Sequence, residues 1–228
     1  MSNAFIVLIL LAQISFLFSS KTNDLNKRNL KSEKKKERKL DGELSEDIVI
    51  IHLNDVHCGV NDTIGYDGFV LYRDELKKKY NYVITVDVGD SIQGGALGAI
   101  TSGEAITNIM NKIKFDVNIL GNHEFDYGIE KLEELQSQLE TKYICANFFE
   151  SGQETPVYDP YKIITVGGKK IAFIGIVTPL AFSKTYLSSI KDEQGNPKYD
   201  FLSGNNKLYE TTQKYINEVK DNVDYVIL

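Results

Sequence analysis

From residue 47 onward, short apolar runs rich in β-branched residues alternate with stretches of helical period. The first three runs each end in a polar cluster that contains glycine. A continuous apolar run of about 4–8 residues is the signature of a strand buried on both faces. Residues 47–53 (DIVIIHL), 82–88 (YVITVDV) and 117–120 (VNIL) fit it, and 143–146 (YICA) adds a fourth. Between them, 68–80 places Phe69, Tyr72, Leu76 and Tyr80 on one helical face. A helix after the possible capping box Thr101-x-x-Glu104 places Ile106, Ile109, Met110 and Ile113 inward, and 129–140 aligns Ile129, Leu132, Leu135 and Leu139. Strands separated by helices pair in parallel, because a parallel pair needs a crossover connection. The expectation is an α/β fold of βαβ units, with mostly parallel sheets covered by helices. Sheets of this kind carry their chemistry beyond the carboxyl ends of the strands.

Further along, Gly167-Gly168 separates 162–166 from 170–177, a hairpin signal. A polar stretch after Pro179, with Gly195-Asn196-Pro197, is expected to be a long loop. A last helix over about 205–221 turns Leu208, Tyr215, Ile216 and Val219 inward, and 225–228 (YVIL) begins another strand. The chain stops inside that apolar run, which points to a fragment of a longer protein.

The N-terminus has a different character. Residues 4–18 (AFIVLILLAQISFLF) are apolar apart from Gln13 and Ser15, and Ser19 and Ser20 follow. This is the pattern of a secretory signal peptide over residues 1–20. It is short for a spanning helix, which needs roughly 20 apolar residues. An uncleaved membrane anchor is the alternative, because a dense basic run follows. Residues 21–46 are polar, strongly basic and without apolar periodicity, as in a disordered linker. The ordered domain is therefore expected over 47–228, in a secreted or cell-surface protein. Asn61-Asp62-Thr63 is a glycosylation sequon that matters only on that route. A net charge of −6 argues against a nucleic-acid polymer as partner. Cys58 and Cys145 lack metal-binding spacing and are taken as free or buried thiols, with a disulfide between them as the alternative.

Chemistry concentrates at the strand ends. Asp55 and His57 follow the first strand. In extended backbone they would share a side and could reach one cation together. An oxygen and an imidazole nitrogen suit Zn, Mn or Fe. Asp90 follows the second strand, flanked by Gly89 and by Gly94-Gly95, which permit close backbone approach. Its two oxygens could bridge two cations. Asp87, on the strand itself, is a competitor for that role. Gly121-Asn122-His123-Glu124-Phe125-Asp126 follows the third strand. There Asn122 offers a carbonyl oxygen, His123 can face a substrate, and Asp126 can orient the His123 imidazole from one turn away. Each cluster alone has a bland explanation in surface acids, caps and turns. Together they are specific, because three neighbouring strand ends carry ligand-type residues and two of the three histidines fall among them. The third, His52, lies inside the first strand and reads as a core residue.

The order D-x-H, then G-D, then G-N-H-E resembles calcineurin-like metallophosphoesterases. The longer strings IHLNDVHCG, VGDSIQGG and GNHEFDYG look like the 5′-nucleotidase branch, which includes bacterial bifunctional nucleotidases and 2′,3′-cyclic phosphodiesterases. The resemblance covers about 47–228. It implies hydrolysis of phosphoesters, most simply nucleotides, with two divalent ions drawn from Zn, Mn, Fe or Mg. It implies that Asp55 and His57 bind the first metal, Asp90 bridges both, Asn122 binds the second, and His123 with Asp126 forms the catalytic dyad. The family completes its site with a further His, a G-H-T/S-H motif and a nucleotide-binding domain, none of which this sequence contains. On that basis the chain is expected to bind its second metal poorly and to have low activity. The alternatives are a non-catalytic binding protein and a phosphoesterase for non-nucleotide substrates.

Overall fold

A computed structural model describes residues 6–12, 44–61, 64–183, 185, 187–201 and 207–228. Five strands lie side by side in sequence order, all parallel: β1 (Ile6–Ala12), β2 (Ser45–Asn54), β3 (Tyr80–Asp87), β4 (Val117–Ile119) and β5 (Tyr143–Ile144). The crossovers carry α1 (Gly65–Lys77), α2 (Gly95–Thr101), α3 (Glu104–Ile113) and α4 (Ile129–Gln138). Because the strand order advances one way and crossovers are right-handed, these helices share one face of the sheet. Val49, Ile51 and Leu53 of β2 pack there with Phe69 and Leu76 of α1, Ile106 and Met110 of α3, and Leu132 and Leu135 of α4.

The opposite face of the sheet meets a second sheet rather than more helices. β7 (Tyr161–Val166) and β8 (Lys169–Ile174) form the expected hairpin, with Gly167 and Gly168 at φ of 56° and 70°. β10 (Tyr225–Ile227) joins β8 in parallel. Ile171 and Phe173 of β8 pack on Ile48, Ile50, Ile84 and Val86 of the first sheet. The alternate residues Ala172 and Ile174 face Tyr215 and Val219 of α6 (Lys207–Val219). The layers are thus helix, sheet, sheet, helix. That explains why β2 and β3 lack polar alternation: both of their faces are covered. The one-turn helix α5 (Leu187–Ile190) and the strand β9 (Tyr199–Phe201) occupy the stretch expected to be loop, and β9 pairs antiparallel with β6 (Phe148–Glu150).

Several boundaries shift. β2 begins at Ser45, two residues inside the expected linker, whose residues 21–43 lie outside the described residues. α1 ends at Lys77, so Tyr80 opens β3 instead of closing a helical face, and Tyr72 is exposed. Gly103, in the left-handed region, takes the N-cap position of α3 instead of Thr101, while the Thr101 hydroxyl accepts the Ala105 N–H of the first turn at 3.3 Å. Residues 6–12, within the expected signal peptide, are extended and pair with β2 from Ile6–Ile48 to Ala12–Asn54. A short apolar run satisfies a strand as readily as a leader, and the open edge of β2 offers it backbone partners. The rest of residues 1–20 lies outside the described residues, as do Asp62 and Thr63 of the sequon. No helix among the described residues is long and apolar enough to cross a membrane.

Candidate active site

The three clusters meet where β2, β3 and β4 end. Beyond the last regular pairing, the loops remain stitched together: Asp55 N–H donates to the Gly89 carbonyl at 3.2 Å, His57 N–H to Asp90 at 2.8 Å and Cys58 N–H to Ser91 at 3.0 Å. Glycines let these backbones approach. A Cβ on Gly94 would lie 2.4 Å from the His57 carbonyl oxygen, and one on Gly89 would lie 2.3 Å from the Gly121 nitrogen.

The backbone here is strained. Asp55, His57, Cys58 and Asp90 have φ between 47° and 59°, and they are four of the six non-glycine residues with positive φ among those described. The left-handed region is unfavourable for side chains with a Cβ, and such strain concentrates at functional sites. It also corrects the sequence argument for Asp55 and His57. Both lie past the end of β2, so strand alternation does not align them. Left-handed turns do so instead, and bring His57 Nε2 to 3.7 Å from Asp55 Oδ1.

Four groups converge. His57, Asp90 and His123 present ligand atoms within 4.8 Å of one another. Asp55 joins them through His57, whose Nε2 lies 3.7 Å from Asp55 Oδ1, and its pKa is raised by burial first and then by a hydrogen bond and repulsion from Asp90. The His57 and His123 rings meet edge to face with centroids 4.8 Å apart. His57 Nδ1 lies 3.1 Å from the Gln93 carbonyl and 3.2 Å from Gln93 Oε1. Both neighbours are acceptors, so the proton belongs on Nδ1 and the Nε2 lone pair is left toward Asp55. Asp90 Oδ1 accepts the His123 backbone N–H at 2.7 Å. His123 Nδ1 pairs with Asp126 Oδ2 at 2.7 Å, and this dyad is less exposed than the Asp55–His57 pair. Asn122, half-buried, opens the 3-10 turn His123–Phe125, and its side chain caps nothing.

Two carboxylates crowded beside an oriented imidazole nitrogen are an oxygen and nitrogen donor set that a divalent cation fits. Asp87 is not part of it. It is fully buried, accepts the Ser91 hydroxyl at 2.6 Å, and burial pushes its pKa up to about 8. Cys58 and Cys145 are free and buried, and burial holds the thiols up at about 11 and about 12. His52 sits within β2, and partial burial lowers its pKa. Sequence reasoning missed two residues that touch the site: Gln93, which orients His57, and Glu124, whose carboxylate holds the loops from beneath. Both sit inside polar strings where no periodicity distinguishes them.

Residues 48–228 match the family described as calcineurin-like phosphoesterase. The chain belongs to the calcineurin-like phosphoesterase family. Membership implies divalent metals, and among the described residues His57, Asp90 and His123 form a grouping that could hold one. Within the family, the chain is similar to the snake venom 5′-nucleotidase of Crotalus adamanteus, at 32% identity over 59% of this chain and 26% of that one. It is also similar to the NAD 5′-nucleotidase of Haemophilus influenzae, at 32% identity over 58% of this chain and 25% of that one. The solved structure of Haemophilus influenzae NAD nucleotidase superposes with a TM-score of 0.62 at 28% identity, over 78% of this chain and 33% of that one. The chain thus spans about a quarter of the length of the curated relatives it matches.

Proposed function

We propose that this chain carries the N-terminal portion of a metal-dependent phosphoester hydrolase site, with nucleotides as substrates. The observation that carries the proposal is the convergence of His57, Asp90 and His123 within 4.8 Å, with Asp126 behind His123. The nucleotide substrate is supported by the nucleotidases to which the chain is similar. Asp55, His57 and Asp90 would hold one cation, and Asp90 with Asn122 would reach a second. When bound, the two cations supply positive charge for the phosphoryl oxygens and lower the pKa of an attacking water.

The remaining work falls to the protein. Gln93 holds His57 in the tautomer that leaves Nε2 free. Asp126 accepts the His123 Nδ1 proton and aims Nε2 outward, where it would stabilise or protonate the leaving oxygen. The strained loops fix these groups before substrate arrives, which is the condition for electrostatic preorganisation. Export of the chain, directed by residues 1–20, is part of the same proposal. N-terminal sequencing of the mature protein tests it.

Hydrolysis of adenosine monophosphate, 2′,3′-cyclic adenosine monophosphate and bis-p-nitrophenyl phosphate, each with and without Mn²⁺, tests the function. Mn²⁺-dependent release of phosphate or nucleoside monophosphate is the expected result. Turnover of the nitrophenyl ester alone would transfer the reading to a non-nucleotide phosphoester. Metal binding without any turnover would favour a binding role.

A further inference from the structure

We propose that Glu124 is a positioning residue that sets the geometry of the metal-binding loops through their backbones. This rests on the hydrolase reading above and assigns a role to a residue that touches neither substrate nor metal in it. Glu124 is wholly buried, in the turn between His123 and Phe125. Its Oε2 accepts the Asp90 N–H at 2.8 Å and the Gly121 N–H at 2.9 Å. Its Oε1 accepts the Ser91 N–H at 2.8 Å and the Ile92 N–H at 3.4 Å. The donors come from two loops, one after β3 and one after β4, that no regular strand pairing joins at this level.

Consecutive N–H groups converging on one point make a nest that would ordinarily hold an anion. Here the anion is the protein's own carboxylate. All four partners are N–H donors, which suits the two acceptor oxygens of the side chain. The contact is also reciprocal. Glu124 holds the backbone of Asp90, while the side chain of Asp90 holds the backbone of His123, the residue next to Glu124. That closed pair fixes Asp90 relative to His123. Nothing can be inserted between them, because a Cβ on Gly121 would lie 2.4 Å from Asp90 Oδ1 and 2.6 Å from Glu124 Oε2. An apolar residue of the same volume would fill the space but would leave the N–H groups of the buried Asp90, Ser91 and Ile92, and of the half-buried Gly121, without this partner.

The test uses the full chain with Glu124→Gln, Glu124→Asp and Glu124→Ala. Glutamine keeps the shape but turns an NH₂ toward N–H donors. Groups that orient metal ligands from behind typically contribute about 10–100-fold in affinity or activity. Calorimetric titration of the metal-free chain with Mn²⁺ should therefore show binding weakened about 10–100-fold in Glu124→Gln. Aspartate, which keeps both acceptors, should recover part of the loss. Hydrogen exchange supplies a readout free of metal: the Asp90, Ser91 and Gly121 amides should be protected in wild type and released in Glu124→Gln. A lowered melting temperature with wild-type Mn²⁺ affinity and unchanged amide protection would overturn the proposal. Glutamine keeps it testable if alanine does not fold. A wild type that binds Mn²⁺ without hydrolysing any phosphoester would sink the functional reading alone and leave the Glu124 comparison intact.

Discussion

Gly121→Ala is the smallest change that should break the site by volume alone. Gly121 is not among the glycines with positive φ, so alanine's backbone preferences are satisfied there. Space is the obstacle. The added Cβ would lie 2.4 Å from Asp90 Oδ1, 2.5 Å from Asp90 N and 2.6 Å from Glu124 Oε2. Real Cβ contacts essentially never fall below 3.0 Å, so these atoms must part. They make three hydrogen bonds: Asp90 N–H to Glu124, Gly121 N–H to Glu124 and His123 N–H to Asp90. Bonds to charged acceptors contribute roughly 1.5–3 kcal/mol each. Partial relaxation should recover some of that, leaving a loss of about 2–4 kcal/mol. For a domain of this size each kcal/mol lowers Tm by roughly 2–4 °C, so a fall of about 4–16 °C is expected. Urea and thermal unfolding of the metal-free chain measure the stability, and Mn²⁺ titration measures the site. A variant within about 0.5 kcal/mol of wild type, binding Mn²⁺ normally, would refute the reasoning.

Asp126→Asn removes the charge behind His123 but keeps an acceptor. Loss of a charge-assisted bond of about 1.5–3 kcal/mol should lower kcat roughly 10–100-fold. Mn²⁺ affinity should be untouched, and an unchanged kcat would remove Asp126 from the dyad. Gln93→Ala should cost less than about 3-fold in activity, because the backbone carbonyl still accepts the His57 Nδ1 proton. A large loss there would show that the side chain, not the carbonyl, orients His57. Asp87 gives a pH signature. Burial raises its folded pKa to about 8, above an unfolded value of about 3.9. The folded state therefore keeps a proton that the unfolded state releases, and the stability this contributes is complete below about pH 4 and lost as pH rises through about 8. Urea unfolding of the metal-free chain should show that decline, and Asp87→Asn should flatten it. The same slope in both proteins would contradict the assignment.

The parallel half of the fold was legible because buried strands and one-faced helices leave strong periods. β2, β3, β4, α3 and α4 all appear where the sequence places them, and the Gly167-Gly168 turn announces its hairpin. The second sheet packing on the first was not legible, since an apolar run cannot say whether helix or sheet covers it. α2 was hidden by Gly95 and Gly98, poor helix formers in a segment where Gly98 lies against Cys58. At the site, Asp55, His57, Asp90, His123 and Asp126 stood out as polar residues at strand ends, and they do converge. Glu124 did not, because its partners lie up to 34 residues away in sequence and all of them are backbone. An acid in a polar string is ordinarily solvated, and only the fold turns this one inward.

The most direct test of the metal site is equilibrium Mn²⁺ binding to the metal-free chain, wild type beside Asp90→Asn. If Asp90 lies at the centre of a metal site, wild type should bind saturably and Asp90→Asn should bind at least about 10-fold more weakly while remaining folded. Superimposable isotherms, or no saturable binding to wild type, would contradict it.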